Sequence, residues 1–501
     1  MTQCAVRAGA REWAGLGVLA VPTVLLGLDV TVLYLVLPAV AADLAPSPVQ
    51  TLWIMDAYGF FIAGFLITMG TLGDRIGRRR LLTIGVTAFA GASVLAAFAP
   101  SAELLIVARA LLGVAGATLM PSTLSLISNM FVDAAQRALA IGVWATMFAV
   151  GMAAGPVVGG ALVDRFWWGA AFLLAVPVAA AVLLGARLLP EYADPQAGRL
   201  DLRSVALSLL AILAAIYAVK HVAVHGVDGV AVAACALAAA AATVFVHRQR
   251  RLDAPLLDVT LFADRAFTAA LTVLLIGLIG VGGTMYLVTQ FLQLVEGLTP
   301  VRAGWWMGPP ALAMFVAAIG APLVARRVRP GVVMAATLGV SVLGYAVLAS
   351  AGRGDGPAVV VAFAFVYLGL GAIAALGTDI VVGAAPAAKS GSAAAMSETV
   401  QELGIAVGVA LFGSVTAAVY RSRMTGPEGV AEGVGGPDAE RLAESLPAAV
   451  SVADRVPGEA VRLAQDAFAA GVNIAALIGG AAVVVVAVVC ATALRHLRPL
   501  D

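Results

Sequence analysis

Long apolar runs, each closed by a short cluster of charges or turn residues, recur from one end of the chain to the other. A bilayer crossing takes about 20 mostly apolar residues. Fourteen stretches approach or exceed that length: 14–41, 52–72, 81–100, 103–130, 138–163, 167–187, 204–221, 229–247, 266–293, 303–325, 331–351, 357–384, 396–420 and 468–494. The seventh and eighth are the weakest, being short and rich in alanine. Backbone amides find no water in hydrocarbon, so each stretch is predicted to be a helix that satisfies its own hydrogen bonds. The pattern therefore predicts an all-α integral membrane protein of fourteen transmembrane helices. Segment 421–467 breaks the pattern, with Gly and Pro followed by charges among Ala, Val and Leu, and reads as a hairpin of short helices outside the bilayer.

Composition sharpens this reading. Of 501 residues, 62% are hydrophobic and 12% charged, against roughly 25% charged in soluble domains; the mean hydropathy is +1.01. A net charge of +1 and the lack of a long basic tract argue against a nucleic-acid partner. Cys4, Cys235 and Cys490 have no metal-ligand spacing, so neither a structural disulfide, a metal nor a cofactor is expected. Ala39-Val40-Ala41 resembles a signal-peptide cleavage site, but the preceding apolar run is too long for one and contains Asp29 and Pro38.

Arginine and lysine set the expected orientation. With the N-terminus inside, 20 of the 30 basic residues fall in inner segments, among them Arg75, Arg78, Arg79, Arg80, Arg326, Arg327 and Arg329. Short outer loops hold Arg165, Lys220, Arg302 and Arg353. Both termini are thus expected in the cytoplasm and 421–467 outside. A faint repeat pairs Leu72, Arg75 and Arg78 with Leu323, Arg326 and Arg329, with Ala325 standing where Asp74 stands in the first copy. It suggests two six-helix halves, 1–190 and 266–501, separated by two inserted helices in 191–265.

Three motifs carry mechanism. Gly70-Thr71-Leu72-Gly73-Asp74-Arg75-Ile76-Gly77-Arg78-Arg79-Arg80 joins the second and third spans. Its glycines allow a tight turn between two helix ends, and Asp74 is expected to accept hydrogen bonds at the start of the third helix. Arg109 lies inside the fourth span, where a permanent charge needs a cavity or a partner. Gly151, Gly155, Pro156, Gly159 and Gly160 give the fifth span a small-residue face with a kink. The loop motif resembles the signature of the major facilitator superfamily, and the fifth-span string resembles the antiporter motif of proton-coupled exporters. Leu28-Asp29-Val30-Thr31 with Pro38 is similar to the first-span motif of the fourteen-span drug:proton antiporter family, although Tyr34 and Val36 replace its usual Asn and Ala. Nearly the whole chain then resembles the branch typified by quaternary-ammonium efflux proteins. Some relatives carry an acid in the tenth span where this chain has Met314, which puts a preference for doubly charged cations in doubt.

That resemblance implies a two-bundle transporter in the cell membrane that exports drugs or toxic small molecules in exchange for protons, with resistance as the result. Intramembrane acids are functional by default. Asp29 with Arg109 is the expected proton-coupling pair. Asp56, Asp379, Glu398 and Glu402 are expected to line the substrate cavity with Tyr58 and Trp144, whose rings suit a cation. Glu398 and Glu402, four residues apart on one helix face, could share a proton. The expected substrate is a lipophilic cation or an antibiotic, the expected solvent the bilayer, and the expected state a monomer. Rivals are an exporter of an endogenous antibiotic or metabolite and a non-transporting membrane sensor. An ATP-driven pump is disfavoured because neither Lys220 nor Lys389 sits in a phosphate loop. A membrane protease is disfavoured because there is no HExxH string, and proteolysis does not explain the glycines.

Overall fold

The structure, a computed structural model, describes residues 8–191, 201–225, 228–252, 255, 259–384, 390–426 and 436–495. Arg7, Arg199, Lys389, Arg498 and Cys4 lie outside the described residues, as does the side chain of Asp74. All regular structure among the described residues is helical. In chain order the membrane helices are α1 Ala10–Leu44, α2 Pro48–Ile76, α3 Arg78–Ala97, α4 Ala102–Met130, α5 Ala134–Arg165 and α6 Ala170–Leu188. Next come α7 Leu202–His225 and α8 Gly229–Gln249, then α9 Arg265–Val295 and α10 Pro300–Ala325. The last four are α11 Pro330–Leu348, α12 Gly356–Ala384, α13 Ser390–Met424 and α14 Gly458–Ala493. Thirteen of these are long and apolar enough to span a bilayer. The exception is α7, in which an apolar stretch is described over Leu202–Ala215. Of the two spans expected to be weak, the eighth is as apolar as the rest.

The helices overrun the expected spans because hydropathy marks only the hydrocarbon core. The 35 residues of α1 extend to about 50 Å at 1.5 Å per residue, against about 30 Å of hydrocarbon. The ends are fixed by polar caps instead. Ser47 and Gln50 cap each other at α2, with Pro48 in the first turn. Asp133 accepts from Gln136 N at α5, Asp264 from Phe267 N at α9, and Thr299 from Arg302 N at α10. Two helices are interrupted. α9 closes in a π-turn over Phe291–Val295, and α10 breaks at Met307 ahead of Pro309 and Pro310.

α1 packs on α5, and α2 and α3 pack on α4. In the second half, α9 packs on α13, α10 on α12, and α11 on α12 and α14. The inserted pair α7–α8 docks where the halves meet: Leu209 fills the space beside Gly64 of α2, and Ile212 and Leu213 pack against Phe60 of α2 and Ala406 of α13. At the end of the pair, Arg248 makes a two-pronged ion pair with Asp201, both bonds 2.9 Å. The Arg248 guanidinium and Ser204 hold the Asp201 carboxyl down at about 2, below the usual carboxylate range.

Between α13 and α14 the expected hairpin is shorter than 421–467. α13 runs on to Met424 and α14 starts at Gly458, with short helices Pro437–Glu444 and Leu446–Ser451 between them. Tyr420 Oη donates to Leu442 O at 2.7 Å and pins the hairpin to α13. The hairpin roofs a cavity of about 110 Å³ between the ends of α1, α2, α9 and α13.

The α2–α3 turn is made at one residue. Gly77 is at once the last cap of α2 and the first of α3, with φ +105°, a conformation that disfavours any side chain. Asp74 therefore lies in the last turn of α2, not at the start of α3 as expected, because α2 continues to Ile76. Arg78 is buried and folds back beside Gly73, whereas Arg75 is exposed. A methyl at Gly70 would meet only Pro121 Cβ, at 3.9 Å, so that glycine makes no close approach. Arg79 binds Glu191, just past α6, at 3.1 Å. In the second copy of the repeat the turn is a four-residue link, Arg326–Arg329, and Arg329 is exposed and donates to Arg495 O at 3.3 Å.

Candidate functional site: a buried acid–arginine cluster

Arg109 projects from α4 into the packed interior, 2% exposed. A guanidinium there must have each face and edge compensated. Its Nη1 donates to Asp29 Oδ2 of α1 at 3.0 Å and its Nε to the Ile54 carbonyl of α2 at 3.2 Å. Its carbon lies 4.7 Å from the Tyr58 ring centroid and 6.0 Å from that of Phe172. Four helices thus converge on one side chain. Asp29 is 6% exposed, so this is an ion pair inside the bilayer-spanning core.

A cavity of about 30 Å³, the size of a water molecule, opens beside the pair. Tyr34, Asp56, Tyr58, Arg109 and Glu402 line it. Asp56 is 1% and Glu402 8% exposed. Because α2 begins at Pro48, Asp56 lies more than two turns inside the helix. The cluster brings three carboxyl groups, Asp29, Asp56 and Glu402, around one guanidinium. With every group ionised its net charge would be negative in a low-dielectric interior.

Other expected cavity residues are elsewhere. Trp144 does not line this cavity: its Nε1 donates to Thr123 Oγ1 at 3.0 Å and ties α5 to α4. Glu398 is half-buried one turn from Glu402, outside the cavity wall. Asp379 is exposed near the end of α12 and does not line the cavity. Residues that sequence reasoning missed are the Ile54 carbonyl and the Phe172 ring. A backbone acceptor has no sequence signature, and Phe172 is one aromatic among many.

The antiporter-like motif makes two contacts of different kinds. Within the first half, Gly151 and Gly155 bring α5 against α1: a methyl at Gly151 would strike the Val24 carbonyl, and one at Gly155 the Thr31 hydroxyl. Thr31 Oγ1 donates to Met152 O at 3.0 Å across the same contact, and Gly159 faces Val32. Between the halves, a methyl at Gly160 would lie 2.5 Å from Pro300 O, and one at Gly304 2.5 Å from Pro156 O. On the opposite seam Gly413 meets Leu52, and Gly59 meets Ala406. At these points the two halves touch backbone to backbone or side chain to side chain.

Residues 19–409 match the family profile of the Major Facilitator Superfamily. The chain belongs to that superfamily. It is accordingly a multi-pass membrane protein. It is 42% identical over 505 aligned positions, covering 99% of both chains, to the multidrug efflux pump LfrA of Mycolicibacterium smegmatis. It is 32% identical to the methyl viologen resistance protein SmvA of Salmonella typhimurium, over 89% of this chain and 90% of that one. With the puromycin resistance protein pur8 of Streptomyces alboniger it shares 31% identity over 84% of this chain and 86% of that one. The fold matches a bacterial homolog of the human lysosomal transporter Spinster, at a TM-score of 0.67 and 18% identity over 97% and 98% of the two chains.

Proposed function

We propose that this protein exports lipophilic drugs, cations foremost, in exchange for protons, and so confers resistance. The observation that carries the reading is the excess of buried carboxyl groups over arginine at the meeting of α1, α2, α4 and α13. Such a cluster takes either protons or a cationic substrate, and competition between the two is the elementary requirement of exchange. The multidrug efflux relative supports drugs as cargo, and the methyl viologen resistance relative supports a cationic one. The puromycin resistance relative supports a second reading, in which the cargo is an antibiotic. Asp29 and Arg109 are the proposed coupling pair, with Asp56, Glu402 and Tyr58 as substrate contacts and Asp379 and Glu398 as acids along the route to them. The glycines of α5 and the Gly70–Arg80 loop are the proposed gating elements. The proposed units are 1–190, 191–265 and 266–501, acting as a monomer. The test is uptake of a dye cation into inverted vesicles. A protonophore should abolish it while ATP is present; uptake that survives the protonophore and follows ATP instead overturns the reading.

The arginine asymmetry supports placing both termini in the cytoplasm and the hairpin outside. Ser422 and Ser451 are exposed on the hairpin side. Single cysteines placed there should react with an impermeant thiol reagent in intact cells. Reaction only after the membrane is opened would reverse the orientation.

A further inference from the structure

The cavity under the hairpin and the acid cavity lie one turn apart along two separate helices. On α2, Leu52 lines the first and Asp56 the second. On α13, Gly413 lines the first and Val409 the second. Residues four apart share a helix face and are about 6 Å apart along its axis. The two helices run in opposite directions, yet both place the hairpin cavity on the same side. One layer of side chains forms the floor between the cavities. A methyl on Gly413 would lie 2.6 Å from Leu52 Cδ2 and 3.2 Å from Tyr286 Cε1, so Leu52 and Tyr286 meet over the glycine. Above this floor the lining suits water. Thr416 is 3% exposed and its hydroxyl has no partner, and exposed Arg441 and Glu444 carry the wall to the surface. Below it the acid cavity has the size of one water molecule.

The two seams between the halves differ in what closes them. Gly160 faces the Pro300 carbonyl and Gly304 the Pro156 carbonyl, so the α5–α10 seam parts only if whole helices move. At the floor of the hairpin cavity, Gly413 meets the end of a leucine side chain, which can change rotamer with the backbone at rest. We propose that protons reach Asp56 and Glu402 from the hairpin cavity past Leu52, by rotation of that side chain while the halves stay closed. The proposal rests on the export reading above, with the hairpin outside, and adds the proton's route to it. A closed apolar constriction excludes water and so blocks proton transfer. One leucine turning aside admits water but nothing of drug size. Proton loading therefore takes a smaller movement than substrate release, and Leu52 is the barrier that keeps protons from leaking when no substrate is carried.

The experiment places a single reporter cysteine at Val409 or at Met285, in a background without the native cysteines. Both positions are buried, the first in the acid cavity and the second beside the α5–α10 seam. Silver ion, a thiol probe that enters where water does, is added to intact cells. The thiols it spares are then measured with a maleimide on the unfolded protein. Leu52→Ala should speed the reaction at Val409→Cys about tenfold and Leu52→Val about threefold, with Leu52→Met like wild type and Met285→Cys unchanged throughout. Proteoliposomes holding Leu52→Ala should also pass protons down a pH gradient without substrate, where wild type does not. Equal acceleration at both cysteines would mean that the halves have parted and would overturn the side-chain route. An unchanged rate at Val409→Cys would overturn it too, as would a faster rate without proton flux. If Leu52→Ala does not insert, Leu52→Val decides alone. Wild-type protein that accumulates no dye cation under a proton gradient would instead defeat the export reading, so the two failures are distinguishable.

Discussion

Asp29→Asn is expected to insert and fold but to lose proton-driven accumulation of substrate. Asparagine keeps the size of the side chain and can still accept a hydrogen bond from Arg109 Nη1, now 3.0 Å from Asp29, but it cannot gain or lose a proton. Breaking a buried ion pair costs about 3–5 kcal/mol when a charge is left uncompensated. Here Arg109 keeps the Ile54 carbonyl, the Tyr58 face and the neighbouring carboxyls of Asp56 and Glu402, so the loss of stability should fall below that range. Substrate binding should survive in part, because those two carboxyls remain. Accumulation against a gradient should fall to the level of passive leak. Asp29→Glu retains a titratable group in a displaced position and should retain partial activity. Ligand binding, thermal unfolding and uptake into inverted vesicles, measured on the same preparations, separate these effects. Wild-type accumulation by Asp29→Asn would make Asp29 structural and move coupling to Asp56 or Glu402.

Gly160→Val is expected to abolish export by a different route. The Cβ alone would lie 2.5 Å from Pro300 O, and this neighbour is backbone at the first turn of α10, which cannot rotate away. The contact joins the two halves, so the overlap is relieved by moving them apart rather than by repacking either one. The variant should therefore fold but fail to seal on the hairpin side. A reporter cysteine at buried Met285, in a background without other cysteines, should then become reactive to an impermeant reagent added from that side. Gly151→Val makes the useful contrast. Its overlap is with the Val24 carbonyl in the same half, so it should lower thermal stability instead, by about 1–3 kcal/mol as for overpacked interiors. Unaltered reactivity in Gly160→Val with export intact would remove the gating role of that glycine.

The sequence by itself determined the environment and the number of crossings. Apolar length is a property of each segment alone, and lipid leaves only the helix for a segment of that length, so the fourteen helices were expected without knowledge of their neighbours, and thirteen of them are long and apolar enough to span among the described residues. It also determined that Asp29 and Arg109 need partners, since a charge in such a segment is costly whatever surrounds it. A tight turn among the loop glycines was legible too, but its place at Gly77, where φ is +105°, was not, since Asp74 was expected at the start of α3. Which acids work together was decided only in three dimensions. Asp56 and Glu402 are 346 positions apart in the chain and share a cavity, whereas neither Glu398, one turn away on the same helix, nor Asp379 lines it. Depth along a helix can be counted from the sequence, but the direction a residue faces depends on how that helix is rotated against its neighbours. In a chain apolar on all sides of most helices, the usual amphipathic stripe that would reveal this rotation is faint.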